Sequence, residues 1–155
     1  MASSTRRALV DELAGRDRLV EVGVGDRPGV ARALAERGCR VVAVDVDPGD
    51  RTREAATETR DGATDGSIRV RRGDVLALAD GGSGLRAADA VYACHLPAEL
   101  QRPTVALADR LDAVCVFTTL GFEEPVVPVR RRSVEGGALY VARDGGGGRR
   151  SSGPG

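Results

Sequence analysis

The chain has 155 residues, enough for one ordinary domain with its own core. It is 41% hydrophobic and 30% charged, the balance of a soluble globular protein, and its formal net charge is zero, so no overall basic field draws it to nucleic acid. Every one of its 23 Lys-or-Arg positions is arginine, which excludes chemistry that needs a lysine amine, such as a Schiff base or a P-loop lysine.

Aromatic residues are 3% and tryptophan is absent, so the core must be built from Val, Leu and Ala. The N-terminus, residues 1–7, is polar and lacks an apolar signal core. No apolar run approaches the roughly 20 residues of a membrane span, and the expected location is the cytoplasm. Cys39, Cys94 and Cys115 form no C-x-x-C pair and lie in or beside apolar segments, which predicts buried, reduced thiols and no zinc site.

Residues 4–14 read as a short helix, with Ser4 as N-cap, Leu9 and Leu13 four apart on one face, and Gly15 ending it. A strand follows at 18–22, then Gly23-Val24-Gly25-Asp26-Arg27-Pro28. Pro28 suits the first position of a helix, where its missing N–H costs nothing. Val30, Ala31, Leu34 and Ala35 continue that helix, and Gly38 stops it. The strand at 40–46 is nearly continuous in Val and Ala, the pattern of a parallel strand buried on both faces.

Residues 48–67 turn to Asp, Arg, Thr and Gly and read as a mobile surface loop with room for one turn of helix. A third strand at 68–71 leads into Gly73-Asp74-Val75, and 79–84 is again loop. A fourth strand covers 88–94. Residues 97–111 are helical in pattern, with Leu100, Leu107 and Leu111 on one side and Pro103 starting the main part anew. A fifth strand is expected at 113–118. Extended pieces at 125–130 and 138–143, around Gly136-Gly137, predict an antiparallel hairpin at the sheet edge. Residues 144–155 read as a disordered Gly/Arg/Ser tail. The order predicts the α/β class: a minimal doubly wound, mostly parallel Rossmann-like sheet of about five strands with an edge hairpin, in a single domain over 1–143.

Chemistry concentrates at the carboxyl ends of the strands, where open α/β sheets bind ligands. Glu21-Val22-Gly23-Val24-Gly25 stands between a strand and a helix. Gly23 permits a tight turn, and Gly25 lets a ligand approach the backbone without meeting a Cβ. Asp45, twenty positions after Gly25, ends the second strand, where an acid accepts from both ribose hydroxyls; Asp47 is a rival for that task. Asp74, just past the third strand, is a candidate acceptor for the exocyclic amine of an adenine, although a turn residue reads the same way. Dinucleotide enzymes show G-x-G-x-x-G, and here the third place is Pro28. NAD is therefore the less favoured adenosine cofactor.

Glu21-x-Gly23-x-Gly25, then Asp45, then Asp74 resembles motifs one to three of class I methyltransferases, in which the acid before the glycines organises the pocket for the aminoacid end of the cofactor. More narrowly, Val20 to Gly25, Val44-Asp45-Val46, Gly73-Asp74-Val75, Ala90-Val91-Tyr92 and Leu96-Pro97-Ala98-Glu99-Leu100-Gln101 resemble uncharacterised protein family 0146, a small archaeal family. The likeness runs from about Leu9 to Val129, and Pro-x-Glu-Leu-Gln is its most particular segment. It implies a methyltransferase-like Rossmann fold and bears on fold more than on activity.

Amino-methylating enzymes commonly place Asn or Asp, Pro, Pro and an aromatic after the fourth strand. Here that place reads Ala93-Cys94-His95-Leu96-Pro97. His95, the sole histidine, is the candidate base or substrate partner, and an ordinary loop histidine is the alternative. Glu99 reads as a helix cap. Arg130-Arg131-Arg132 could meet a phosphate or RNA, and a solvated edge that discourages strand pairing is the simpler reading. The expectation is an S-adenosylmethionine-binding domain, possible as a methyltransferase whose substrate or partner completes the site. The alternative is a non-catalytic module for adenosine cofactors or NAD, acting as sensor or subunit.

Overall fold

Parallel strands form the centre of the fold in the computed structural model, which describes residues 4–60, 66–79, 85, 87–121 and 123–144. Among these, the elements run α1 (Ser4–Leu13), β1 (Arg18–Val22), α2 (Gly29–Glu36), β2 (Arg40–Asp45), α3 (Asp50–Arg60), β3 (Ser67–Arg72), α4 (Val75–Ala79), β4 (Ala90–Ala93), α5 (Ala98–Leu111), β5 (Val114–Phe117), β6 (Arg130–Val134) and β7 (Gly137–Asp144). The sheet order is β3-β2-β1-β4-β5-β7-β6. β1 to β5 pair in parallel, and β7 returns antiparallel to β5 with β6 antiparallel outside it. The mostly parallel sheet with an edge hairpin is thus present.

Each face of the sheet carries its own core. Leu19, Val41, Ala43, Ala90 and Tyr92 pack under α1 and α2, against Leu9, Leu13 and Leu34. Val20, Val22, Val44, Val91 and Phe117 pack on the other face under α5, against Leu107 and Leu111. The alternation along β1 and β2 follows from the two-residue period of a strand, and burial on both faces explains their continuous apolar character. Gly38 closes α2 at φ 91°, with its own and the Cys39 N–H bonded to the Ala35 and Leu34 carbonyls, as in a Schellman end. Pro28 stands at the cap of α2, one place before the expected position.

Four expectations need correction. Within 48–67 the chain forms α3, an 11-residue helix that buries only Thr52 and Ala55. Its Ala, Arg and Glu are good helix formers, but a helix that buries only two small side chains leaves no apolar stripe to read. Residues 61–65 of that stretch lie outside the described residues. A short helix, α4, follows Asp74 where no element was expected; the loop expected at 79–84 falls, after Ala79, outside the described residues. α5 runs continuously through Pro103. Lastly, the hairpin strands are β6 and β7 around Glu135-Gly136, so residues 125–129 are not strand. β6 is an exposed run of Arg-Arg-Arg-Ser paired in the sheet with β7 alone, with no alternation to reveal it. Residues 145–155, expected as a tail, lie outside the described residues.

Gln101, in the distinctive Pro-x-Glu-Leu-Gln segment, has a structural duty. It is buried, donates to the Leu96 carbonyl at 3.2 Å and accepts from the Val126 N–H at 2.7 Å. It thereby ties the start of α5 to the chain leaving β5. Among the described residues, no helix is long and apolar enough to cross a membrane.

Candidate cofactor site

The turn after β1 is held from three sides. Gly23 and Gly25 both adopt left-handed backbone, φ 74° and 55°, which favours glycine at each. The Gly23 N–H bonds the Val44 carbonyl at 2.8 Å, and the Gly25 N–H bonds Asp45 Oδ2 at 2.8 Å. The Gly25 carbonyl accepts from the Gly49 N–H at 3.0 Å and from the buried Thr52 hydroxyl at 2.8 Å. Asp26 accepts the Arg51 N–H at 2.6 Å and so caps the start of α3. The helix that the sequence concealed is therefore what positions the turn. A Cβ built on Gly23 meets nothing within 4 Å, and one on Gly25 meets only Asp45 Oδ2 at 4.0 Å. The backbone here is open to a ligand.

Glu21 lies beneath this turn and is 2% exposed. Tyr92, its partner across the β1–β4 register, donates its hydroxyl to Glu21 Oε1 at 2.8 Å. Burial pushes the Glu21 carboxyl up to about 7; the Tyr92 bond and the charge of Arg6 pull it down, and Asp45 pushes it further up. The same burial, with Glu21 beside it, raises the Tyr92 phenol. Asp45 caps the turn from β2 with both oxygens, since its Oδ1 accepts the Asp47 N–H at 2.9 Å. Each oxygen keeps a second lone pair for a ligand hydroxyl. Asp47 itself is exposed, 3.9 Å from Arg72.

Asp74 is also exposed, and its Oδ1 accepts the Leu76 N–H at 3.0 Å, capping α4. It follows Gly73, whose N–H bonds the Asp45 carbonyl at 2.9 Å, so the two acids stand past neighbouring strand ends. Val46 and Leu76, next to these acids, are 62% and 55% exposed. Such open apolar side chains beside a polar pair suit the faces of a planar ring. Sequence reading missed them, because only exposure distinguishes them from core residues.

His95 follows β4 with φ 53°, uncommon for a residue bearing a side chain. Its N–H is held by Thr118 Oγ1 at 2.8 Å, and its ring is exposed. Partial burial and the charges of Arg6 and Arg27 hold its pKa below the ordinary value. Cys94 beside it is pushed up to about 12, chiefly by burial, and is a thiol rather than a nucleophile.

A cleft of about 240 Å³ joins these groups; Glu21, Gly23, Gly25, Arg27, Cys94 and His95 are among its lining, with Arg6 above. It brings together four of the six expected site residues. Asp45 reaches it only through the Gly25 N–H, and Asp74 lies outside its lining. Arg6, Asp26 and Arg27 were not foreseen. A larger cavity between α3 and β3, about 590 Å³, contains none of the candidate residues. Among the described residues, no cluster of three or more His, Cys, Asp or Glu is arranged to hold a metal ion.

A sequence model of the uncharacterised protein family UPF0146 matches residues 5–79 and 83–145. The chain belongs to that family. The UPF0146 proteins of two Halobacterium salinarum strains are 47% identical over 133 residues, covering 85% of this chain and 92% of theirs. Among solved structures, the chain is similar to an RNA methyltransferase from Salinibacter ruber in complex with S-adenosyl-L-homocysteine: TM-score 0.58, 23% identity, 92% of this chain and 94% of that one. It is also similar to magnesium protoporphyrin IX methyltransferase from Synechocystis with bound S-adenosylmethionine: TM-score 0.57, 14% identity, 88% of this chain and 76% of that one. At these identities the likeness speaks for the fold. This UPF0146 chain has the methyltransferase-like sheet.

The basic run has partners within the chain. Arg130 pairs with Asp144 at 2.7 Å, Arg131 reaches Ser133, and Arg132 meets Glu12. These contacts fit a charged, solvated edge strand.

Proposed function

We propose that this chain binds S-adenosylmethionine across the ends of β1, β2 and β3 and acts as a methyltransferase. The observation that carries the reading is the open turn itself. Two left-handed glycines with free space above them stand over a buried carboxylate, and Asp45 is bonded to the second glycine. The fit is chemical. Glu21 holds the ammonium of the aminoacid end, Gly23 and Gly25 admit its backbone-like stem, and Asp45 accepts from the ribose hydroxyls. Asp74 uses its second oxygen for the adenine amine, and Val46 and Leu76 cover the ring. When bound, the cofactor supplies an electrophilic methyl group. The chain's part is to align an acceptor with it, and such catalysis rests on proximity more than on a dedicated base. His95, at the acceptor side of the cleft and held neutral, serves as hydrogen-bond partner or base.

A second reading, a non-catalytic sensor or subunit that binds the same adenosine ligand, is favoured by one observation. The only hydrogen bond at His95 among the described residues is through its backbone, so nothing orients its ring. The same proposal places the protein in the cytoplasm as a single domain; its three free cysteines fit a reducing compartment.

Calorimetric titration with S-adenosylhomocysteine and, separately, NADH tests the reading, repeated on Asp45→Ala. Micromolar binding of the first, lost in the variant, is expected. Binding of NADH alone would move the assignment to a nicotinamide module, and binding of neither would refute the cofactor. Incorporation of labelled methyl groups into a cell extract then separates enzyme from sensor.

A further inference from the structure

Two cavities meet at Gly29, the first residue of α2. One is the cleft over the glycine turn. The other, about 320 Å³, lies between α1 and α2, with Val10, Val30 and Ala33 as its floor and Arg6, Arg7 and Arg37 as its rim. Arg6, Gly29 and Val30 line both. A Cβ built on Gly29 meets nothing within 4 Å, so the absent side chain leaves an open sill between them.

Charge decides what this continuous space receives. The second cavity has no acid in its lining. Arg37 is paired with Asp11 at 3.1 Å, whereas the Arg7 guanidinium makes no ion pair or hydrogen bond among the described residues. In the first cavity, Asp26 is turned to the start of α3, and Glu21 is buried against Tyr92. Neither acid is paired with Arg27, whose guanidinium has no hydrogen-bond or ion-pair partner among the described residues. Arg27 and Arg6 line the same cleft as Cys94 and His95, so its cationic end stands beside the proposed acceptor position. A planar guanidinium fork matches an oxyanion in two-point geometry.

We propose that the acceptor is a small oxyanion-bearing molecule. Its carboxylate or phosphate is held by Arg27 and Arg6, and its apolar body crosses the Gly29 sill onto Val10, Val30 and Ala33. This rests on the cofactor reading above, which gives the Glu21 side of the cleft to the aminoacid end.

The test titrates the full chain with phenyl phosphate and benzoate, and with phenol and benzamide as neutral counterparts. Each titration is run with and without saturating S-adenosylhomocysteine and followed by the backbone amide signals of residues 23–30. Both anions are expected to bind at least about tenfold more tightly than their neutral counterparts, the usual worth of a charge-assisted hydrogen bond. That preference is expected to fall severalfold in Arg27→Gln, in which Arg6 remains. Gly29→Leu, which narrows the sill, should weaken phenyl phosphate while sparing inorganic phosphate. Equal binding of neutral and anionic probes, or an unchanged preference in Arg27→Gln, would overturn the proposal. So would displacement of the anions by S-adenosylhomocysteine, which would assign the arginines to the cofactor's own carboxylate. Anion binding without any S-adenosylhomocysteine binding would instead remove the cofactor reading and leave an oxyanion site.

Discussion

Glu21→Gln should make the protein more stable at neutral pH while weakening its cofactor site. The carboxyl is raised from 4.5 to about 7 in the folded chain, first of all by burial. Below about pH 4.5 both folded and unfolded states hold the proton, and the group contributes nothing to the balance. As pH rises, the unfolded chain releases its proton first, so the folded state is progressively disfavoured until its own carboxyl ionises near 7. Above that the full penalty persists. Each pH unit is worth about 1.4 kcal/mol, which sums to roughly 3 kcal/mol, a large share of an ordinary domain's stability of about 5–15 kcal/mol. Glutamine is nearly isosteric, carries no charge and still offers an oxygen to the Tyr92 hydroxyl. Its own unmet N–H groups act at every pH, whereas the attraction to Arg6 exists only for the ionised carboxyl and is already contained in the shift. The quantity to measure is therefore the difference between two gains. Urea unfolding followed by far-ultraviolet circular dichroism, at about pH 8 and about pH 4.5, should give a variant-minus-native stability larger by about 3 kcal/mol at the higher pH. An equal difference at both pH values would refute the argument that Glu21 is a buried carboxylate under strain. Calorimetry on the same variant should show S-adenosylhomocysteine weakened about tenfold or more, the loss of one charge-assisted hydrogen bond. A stability gain without that weakening would make Glu21 a structural acid only.

Tyr92→Phe removes the donor to a buried carboxylate, at a cost of about 1–3 kcal/mol that should be larger at about pH 8 than at about pH 4.5, read by the same unfolding titrations. Gly25→Ala places a Cβ at φ 55°, at a strain of about 1–2 kcal/mol, over the surface the cofactor would approach; thermal unfolding and calorimetry should both register it. The ring signals of His95 should titrate with a midpoint below the ordinary 6.5, because burial and the charges of Arg6 and Arg27 disfavour its cation. Replacing Arg27 by Gln should move that midpoint upward, and an unmoved midpoint would remove Arg27 from the ring's surroundings.

Legibility in the sequence followed apolar content. β1 and β2 were readable because burial on both faces demands continuous Val and Ala, and α2 because Val30, Ala31 and Leu34 mark one helix face between a cap and a left-handed glycine. α3 was not, since it buries only Thr52 and Ala55. Its order comes from Thr52 and Gly49 bonding Gly25 and from Asp26 capping its start, contacts between segments that no local pattern announces. β6 was misplaced for a similar reason, as a run of exposed arginines carries no period.

In the candidate site, Gly23 and Gly25 were evident because a tight strand-to-helix turn favours glycine at fixed offsets, and Glu21 because its place before them resembles the first motif of class I methyltransferases. Asp45 was evident from its place at the end of the next strand, and its bond to the Gly25 N–H joins it to that turn. The arginines could not be found that way. Arg6 comes from α1, fifteen positions before Glu21, and Arg27 resembles any other member of an arginine-rich chain until its place in the cleft lining is seen. The sequence by itself therefore determined the sheet and the glycine turn after β1, because strand burial and backbone conformation restrict residue type locally. Only the tertiary structure decided which charged groups line the cleft, because that depends on how α1, the turn after β1 and the end of β4 are brought together.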